Sequence, residues 1–378
     1  MQVADLINAM EMIAPLSYAE PWDRVGLHLG RPRTELDGPV LLTIDLTEAV
    51  LHEAIESGVR AIVAYHPPIW EPLKSVTNAS AKERIILGAA EARIAIYSAH
   101  TALDSVPGGV TDWLCEGISG STEPGKIHGD CRSMSPAADG EHEVKIVTFL
   151  PESSLETVRN AMATAGAGRI GEYSLCTFSS RGTGTFLGSD ASNPAIGQAG
   201  RLEQVEELRL ETVCPKEALP LALETLRAFH PYEEPAIDVY ELAPKPRRTA
   251  GAGRRLVLDQ PATVAEIAER LKKHLGRARI RAAILGEDKP ISRIAVVPGA
   301  GESMAPLARR IGSELFFTGE MRHHQVNAAL DGGMSVLLAG HTNTERGYLP
   351  RLAQSLRDRL PGAEIRISTE DRDLLTVM

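Results

Sequence analysis

Histidine and carboxylate side chains gather at four points of this chain, each straight after a short apolar run. Ala61–Val63 leads into Tyr65-His66-Pro67-Pro68, and Ile94–Ser98 leads into His100 and, four residues on, Asp104. Leu315–Thr318 leads into Glu320 and then His323-His324. Ser335–Ala339 leads into His341 and, again four residues on, Glu345. Imidazole plus carboxylate is a ligand set for divalent metal ions. On a helix, residues four apart share one face, so His341 with Glu345, and His100 with Asp104, could each meet one ion. The two prolines after His66 end a strand and fix the loop behind it. Histidine also titrates near neutral pH, so His100, Glu320, His323 and His324 are candidates for moving protons. Neighbours on a helix point about 100° apart, so His323 and His324 are not expected to hold one ion together.

These residues need strands to bring them together. In an open α/β sheet, ligands bind in the crevice outside the carboxyl ends of the strands, where distant parts of a chain converge. The sequence supplies such elements. A first block, residues 1–120, reads as a helix over Met1–Ala14, then strand Val40–Ile44 ending at Asp45, helix Thr47–Ser57 and strand Arg60–Val63. Helix Ala81–Glu91, strand Arg93–Tyr97 and a helix over Val110–Gly117 complete it. Residues 121–142, rich in Ser, Gly, Pro and Asp, read as a linker. A middle block, residues 143–243, reads as a small α+β domain. It has strand Glu143–Phe149, helix Glu152–Ala165, and strands Tyr173–Ser179 and Thr183–Leu187 about a glycine turn. A strand within Arg201–Val213, helix Pro215–Phe229 and strand Ala236–Leu242 follow. Residues 244–253 read as a second linker. The last block, residues 254–378, carries helix Thr263–Leu275, strands Ile294–Val297, Glu314–Thr318 and Ser335–Leu338, helix Thr344–Leu360 and strand Glu364–Ser368.

The outer blocks repeat one order. Asp45 answers Pro298-Gly299-Ala300-Gly301, Tyr65-His66 answers Gly319-Glu320, and His100-x3-Asp104 answers His341-x3-Glu345. Strands alternating with helices imply a largely parallel sheet in each block. The expected fold class is therefore α/β, with two pseudo-duplicated βαβ halves and an inserted α+β domain.

Composition narrows the function. With 43% hydrophobic and 24% charged residues, the chain is an ordinary globular one. A formal charge of −10 argues against non-specific binding to nucleic acid or to membrane surfaces. Cys115, Cys131, Cys176 and Cys214 form no CxxC pair, which fits free thiols in a reducing compartment. Asp5 and Glu11 make the first residues an amphipathic helix rather than a signal peptide. The expected location is cytoplasmic, with no membrane span. Gly168–Gly171, Pro298–Gly301 and His230–Pro235 lack a complete nucleotide or nucleophile motif and read as turns.

Taken together, PWDRVGL (Pro21–Leu27), YHPPIW (Tyr65–Trp70), YSAHTALDSVPGGVTDWL (Tyr97–Leu114), HPYEEPAIDVYEL (His230–Leu242), FFTGEMRHH (Phe316–His324) and GHTNTERGYL (Gly340–Leu349) resemble the NIF-three-like family, the GTP cyclohydrolase 1 type 2 homologues. The resemblance implies a two-lobed α/β domain with a metal centre between the lobes. It also implies a ferredoxin-like insert, similar to the PII and CutA proteins, and a toroidal homohexamer. The family's ligands map to His66, Asp104, His341 and Glu345. The implied cofactor is a divalent ion (Zn, Fe, Mn, Co or Ni), one or two per chain. Many members have two adjacent histidines before the prolines. Tyr65 stands at the first of those positions here, so one ligand of a two-metal site is replaced. The implied activity is metal-dependent hydrolysis of a small molecule, a nucleotide such as GTP or another phosphoester. A non-catalytic metal-binding scaffold or regulatory hexamer is the alternative.

Overall fold

Apolar runs of four residues are too short for stable helices and form fully buried strands wherever both faces of a sheet are covered. The computed structural model describes residues 1–138, 144–243 and 246–375. The chain divides into two units, Met1–Ala137 with Arg248–Met378, and Ala138–Arg247.

The first unit opens with α1 (Val3–Ile13), β1 (Gly26–Leu29), β2 (Val40–Thr43), α2 (Glu48–Glu56) and β3 (Ala61–Ala64). It continues through α3 (Ala81–Glu91), β4 (Ala95–Ser98), α4 (His100–Ser105), α5 (Val110–Ser119) and β5 (Gly129–Ala138). The second unit holds β6 (Val144–Leu150), α6 (Leu155–Thr164), β7 (Thr177–Leu187), β8 (Leu202–Cys214), α7 (Leu219–Phe229) and β9 (Ile237–Glu241). The chain then returns to the first unit with β10 (Pro246–Ala262), α8 (Val264–Leu275), β11 (Arg281–Ala283), β12 (Ile291–Val296) and α9 (Ala305–Arg310). It ends with β13 (Leu315–Thr318), α10 (His323–Asp331), β14 (Ser335–Leu338), α11 (Leu349–Arg359) and β15 (Ile365–Ile367).

Two sheets build the first unit, and they share one plan. In the order β1-β4-β3-β2-β15, strands β2, β3 and β4 run parallel and β1 closes the edge antiparallel to β4. In the order β11-β14-β13-β12-β10-β5, strands β12, β13 and β14 run parallel and β11 closes the edge antiparallel to β14. Alternation along each strand divides the side chains between two layers. Val40, Leu42, Ala61, Val63 and Tyr97 of one sheet, and Ile294, Val296, Leu315, Phe317 and Leu337 of the other, belong to one core with α1, α5, α8 and α11. Leu41, Ile62 and Ile96 face the other way and pack under α2 and α3. Ala295, Phe316 and Val336 do the same beside α9 and α10. The result is a mixed α/β fold in which both sheets send their parallel strand ends toward one region.

Polar links tie the halves of this unit together. Arg254 of β10 is fully buried, and its Nε donates to Asp112 Oδ1 of α5 at 2.5 Å. Its other nitrogens donate to the carbonyls of Gly251, Gly253, Ser105 and Val106. Arg351 of α11 grips the buried Glu116 of α5 with two bonds of 2.6 and 2.7 Å. The last strand, β15, completes the sheet of the first half by pairing parallel with β2.

In the second unit, the strands lie in the order β7-β8-β6-β9, each antiparallel to its neighbour, with α6 and α7 in the connections. Val144, Ile146, Leu150 and Leu210 pack there against Val158, Met162, Ala222 and Leu226.

Several expectations are corrected. The span 121–142, read as a linker, contains β5, and the span 244–253 contains the start of β10; both strands join the sheet of the last block. Residues 139–142 and 244–245 lie outside the described residues. Glycine, serine and proline in these stretches masked two strands that neighbouring strands hold in place. The expected pair of strands about a glycine turn is one strand, β7, paired with β8 residue for residue from Thr177 to Leu187. The helix expected over Thr344–Leu360 begins at Leu349, after two short 3-10 turns at Thr342–Thr344 and Arg346–Tyr348. Strands β1 and β11 are edge strands that the sequence reading missed. Among the described residues no helix is long and apolar enough to cross a membrane.

Two stability tests follow from these contacts. Arg254→Met leaves four buried carbonyls and the Asp112 carboxylate short of a donor, and is expected to lower unfolding free energy by about 3–5 kcal/mol in denaturant melts. A loss under about 1 kcal/mol would mean that water replaces the guanidinium. A second test concerns Glu53 of α2. Burial opposes its ionisation, but hydrogen bonds from Ser368, Thr369 and Glu370 outweigh burial and hold its carboxyl below the usual range. With a lowered folded value, this clasp contributes in full above the ordinary glutamate range and is lost as pH falls through Glu53's own value. Hydrogen-exchange protection at Thr369 and Glu370 is expected to fall with it, earlier than protection in β2 and β3.

Candidate metal centre

Each strand end extends its ladder by a residue or two before the chain turns, and this sets the direction of the site. Tyr65 N donates to Thr43 O and His66 N to Ile44 O. In the other sheet, Gly319 N donates to Gly299 O at 2.9 Å and Gly340 N to Gly319 O at 2.8 Å. His66 at the end of β3, His341 at the end of β14 and Glu345 one turn later come together, with one ligand atom from each within 4.8 Å of the others.

Every imidazole here is tethered through Nδ1. His66 Nδ1 lies 2.9 Å from Asp45 Oδ1, His341 Nδ1 lies 2.8 Å from Glu320 Oε1, and His100 Nδ1 lies 2.7 Å from Asp23 Oδ1. An ionised carboxylate only accepts, so Nδ1 must be the donor in each pair. The tether leaves Nε2 of each neutral ring with a free lone pair, the arrangement by which outer carboxylates orient metal-bound histidines. His66 Nε2 is 3.5 Å from Glu345 Oε2, and His341 Nε2 is 3.5 Å from Glu345 Oε1. Ligand atoms bound at about 2.1 Å to a tetrahedral ion stand about 3.4 Å apart. These spacings therefore suit one divalent ion.

The electrostatics fit a cation as well. Glu345 is 2% exposed, and its Oε2 makes no hydrogen bond among the described residues. A buried carboxylate is costly without a positive partner. Burial opposes charge on His66, but Asp45 and Glu345 outweigh it and push its pKa up to about 10. Burial also opposes ionisation of Asp45, yet the His66 hydrogen bond keeps its pKa lowered. Gly299, at φ +60°, forms one wall: a Cβ there would stand 2.7 Å from Glu345 Oε1 and 3.1 Å from His341 Nε2. A side chain there would crowd both polar groups. Its N–H donates to Thr344 Oγ1 at 2.8 Å, which locks the turn against the 3-10 segment between His341 and Glu345.

Asp104 is not part of this group. Its Oδ1 accepts from Tyr65 Oη at 2.5 Å. Burial raises its pKa well above the carboxylate range, against the Tyr65 hydrogen bond, and the nearby Glu345 adds to the rise. His100 sits beside the group, its ring centre 5.4 Å from that of His66. Its backbone lies in the left-handed region at φ +33°, a conformation rare for residues other than glycine. Asp23 holds it there. The Asp23 side chain is fully buried, takes the His100 ring, and accepts from Thr101 N at 3.1 Å and from the Thr101 hydroxyl. Trp22 and Trp70, both exposed, flank His100 with ring centres 6.3 and 5.8 Å from it. His323 and His324 are exposed at the start of α10 and lie outside the group.

The family model for Duf34/NIF3 (NGG1p interacting factor 3) matches residues 1–373. The chain belongs to the Duf34/NIF3 family. It is similar to a GTP cyclohydrolase 1 type 2 homolog of Halalkalibacterium halodurans, 35% identical over 376 residues, 98% of this chain and 97% of the relative. NIF3-like protein 1 of Rattus norvegicus is 32% identical over 382 residues, 100% of this chain and 93% of that protein. Among solved structures, a Bacillus cereus protein related to NIF3 matches at a TM-score of 0.73 and 32% identity, covering 100% of this chain and 99% of that one. A Staphylococcus aureus protein with 24% identity shares the fold at a TM-score of 0.81, with the same coverage.

Within this Duf34/NIF3 chain, the sequence reading named His66, His341 and Glu345, and the structure gathers them. It missed Asp23 and Asp45 as the carboxylates behind two of the rings. Both stood in plain sight, Asp45 after a buried strand and Asp23 in the PWDRVGL stretch, but their partners lie 21 and 77 positions away. Glu320, read as a proton carrier, is the tether of His341. The helical spacing invoked for His341 and Glu345 is replaced by a 3-10 turn, which still aims both side chains inward.

Asp45→Asn and Glu320→Gln are each expected to weaken divalent-ion affinity by about 10–100-fold, read by competition with a chromophoric chelator. Unchanged affinity in both would show that the rings need no tether.

Proposed function

We propose that this chain is a metal-dependent hydrolase acting on a nucleotide or another phosphoester, with His66, His341 and Glu345 holding one divalent ion and Asp104, held outside that group by Tyr65, as the fourth ligand that the family resemblance implies. The observation that carries the reading is the triad itself, two tethered imidazoles converging on one buried carboxylate. A divalent ion supplies Lewis acidity and lowers the pKa of a bound water. Asp45 and Glu320 keep the two ligand rings in register. His100 presents Nε2 beside His66 and can take or give a proton, with Asp23 stabilising the charged ring. Glu320, His323 and His324 are further proton carriers, of which Glu320 touches a ligand ring directly. Tyr65 engages Asp104 and stands where many family members place a second-metal ligand, which favours one ion per chain.

The same reading takes the second unit as a ferredoxin-like insert. Its β-α-β-β-α-β order and antiparallel sheet β7-β8-β6-β9 support that. It includes a homohexamer, carried over from the family resemblance, which light scattering on the purified protein tests, and a cytoplasmic location, carried over from the cysteine pattern.

The deciding experiment is metal content per chain by mass spectrometry, on protein purified without chelator or affinity metal, beside the folded His341→Ala/Glu345→Ala double variant. About one ion per chain, absent in the variant, is the expected result. No ion in either protein, even after reconstitution, would sink the metal reading. Turnover of a nucleotide and phosphoester panel is expected from the loaded protein and not from the variant. Metal without turnover would leave a binding scaffold.

A further inference from the structure

Beside the triad lies a cleft of about 1330 Å³, lined by Asp45, His66, Glu320 and His341 on one side. Its other wall runs from the end of α8 to the start of β11 and contributes Lys272, Arg277, Arg279 and Arg281. That is a strongly basic wall in a chain of net charge −10. Two of the four cations are occupied. Lys272 pairs with Glu269 at 2.6 Å, and Arg277 bonds Asn343 and lies 3.6 Å from Asp373. The acidic groups of the cleft are spoken for too: Asp45 by His66, Glu320 by His341, and Asp373 by Arg277.

Arg279 and Arg281 differ. Both are exposed, and among the described residues neither makes a hydrogen bond or an ion pair. They stand two apart as the chain enters β11, the spacing that puts alternate side chains on one face. The sheet fixes their distance from the triad, because Arg281 pairs with Leu338 of β14, three residues before His341. Guanidinium forks match phosphate oxygens in pairs, and a cleft of this size admits a ligand as large as a nucleotide.

We propose that Arg279 and Arg281 form an anion subsite for the phosphate or polyphosphate group of the substrate, set to one side of the metal centre. The inference rests on the hydrolase reading above and deepens it: the bond that is cleaved lies at the triad, and a phosphate that is not itself attacked is held on β11. The subsite is separate from the ion and binds phosphate without it.

Inorganic pyrophosphate is the probe, titrated calorimetrically into metal-stripped protein, wild type and Arg279→Gln/Arg281→Gln. Wild type is expected to bind, more weakly as salt rises from about 50 to about 200 mM. The double variant is expected to lose about tenfold or more in affinity, yet to take up as many ions per chain as wild type on reconstitution. Arg281→Lys, which keeps the charge but loses the fork, is expected to fall between them and guards against misfolding of the double variant. Equal affinity in wild type and double variant, or pyrophosphate binding only after metal is added, would overturn the proposal. Either result leaves the metal count untouched, so failure of the subsite is distinct from failure of the metal reading.

Discussion

A neutral imidazole has one nitrogen that donates and one that accepts, and a metal ligand needs the acceptor pointed at the ion. In this protein, that choice is made by carboxylates on the far side of each ring. Asp45, Glu320 and Asp23 each accept a hydrogen bond from Nδ1–H, and each comes from a different segment of chain from the histidine it holds. The site is therefore specified as three pairs, not as three histidines. Each pair requires two backbone segments to arrive in register. The rest of the first unit can be understood as the apparatus that brings them there.

That apparatus is a repeated sheet. In each half, three buried parallel strands end in the same region, and an antiparallel edge strand borders the last of them. The ends are unequal in chemistry. One half supplies Asp45, His66 and His100, while the other supplies Gly299, Glu320 and His341 at the matching positions. Gly299 faces the Glu345 carboxylate and the His341 ring where its counterpart, Asp45, carries a side chain, so the later half keeps open the space beside its own two polar groups. Arg254 and the Arg351–Glu116 pair, buried between helices and strands of the two halves, hold the spacing on which these meetings depend.

Much of this could be read from the chain. Four-residue apolar runs announced the central strands, and two of those runs lead into His66 and His341, which the structure brings together with Glu345. The carboxylate tethers could not be read, since nothing local ties Asp23 to a histidine 77 positions away. The strands β5 and β10 were hidden for a related reason. Their sequences are poor in apolar alternation; β10 is a strand because β12 lends it a partner and a register, and β5 is one because β10 lies beside it. The 3-10 turns after His341 were hidden by a helical pattern that is real but starts later. Glu345 stays buried because Thr344 is pinned to Gly299, a contact between residues 45 apart in sequence.

The chain order of the centre bears on how the protein is made. His66 emerges from the ribosome early, with most of the first sheet, whereas His341 and Glu345 follow only after the entire second unit. The sheet that carries His66 is itself unfinished until β15, near the end of the chain, pairs with β2. Until β15 arrives, β2 keeps an open edge, and His66 meets His341 and Glu345 only once the later half has folded. A product lacking β15 would keep His66, His341 and Glu345 and lose the strand that completes the sheet behind His66.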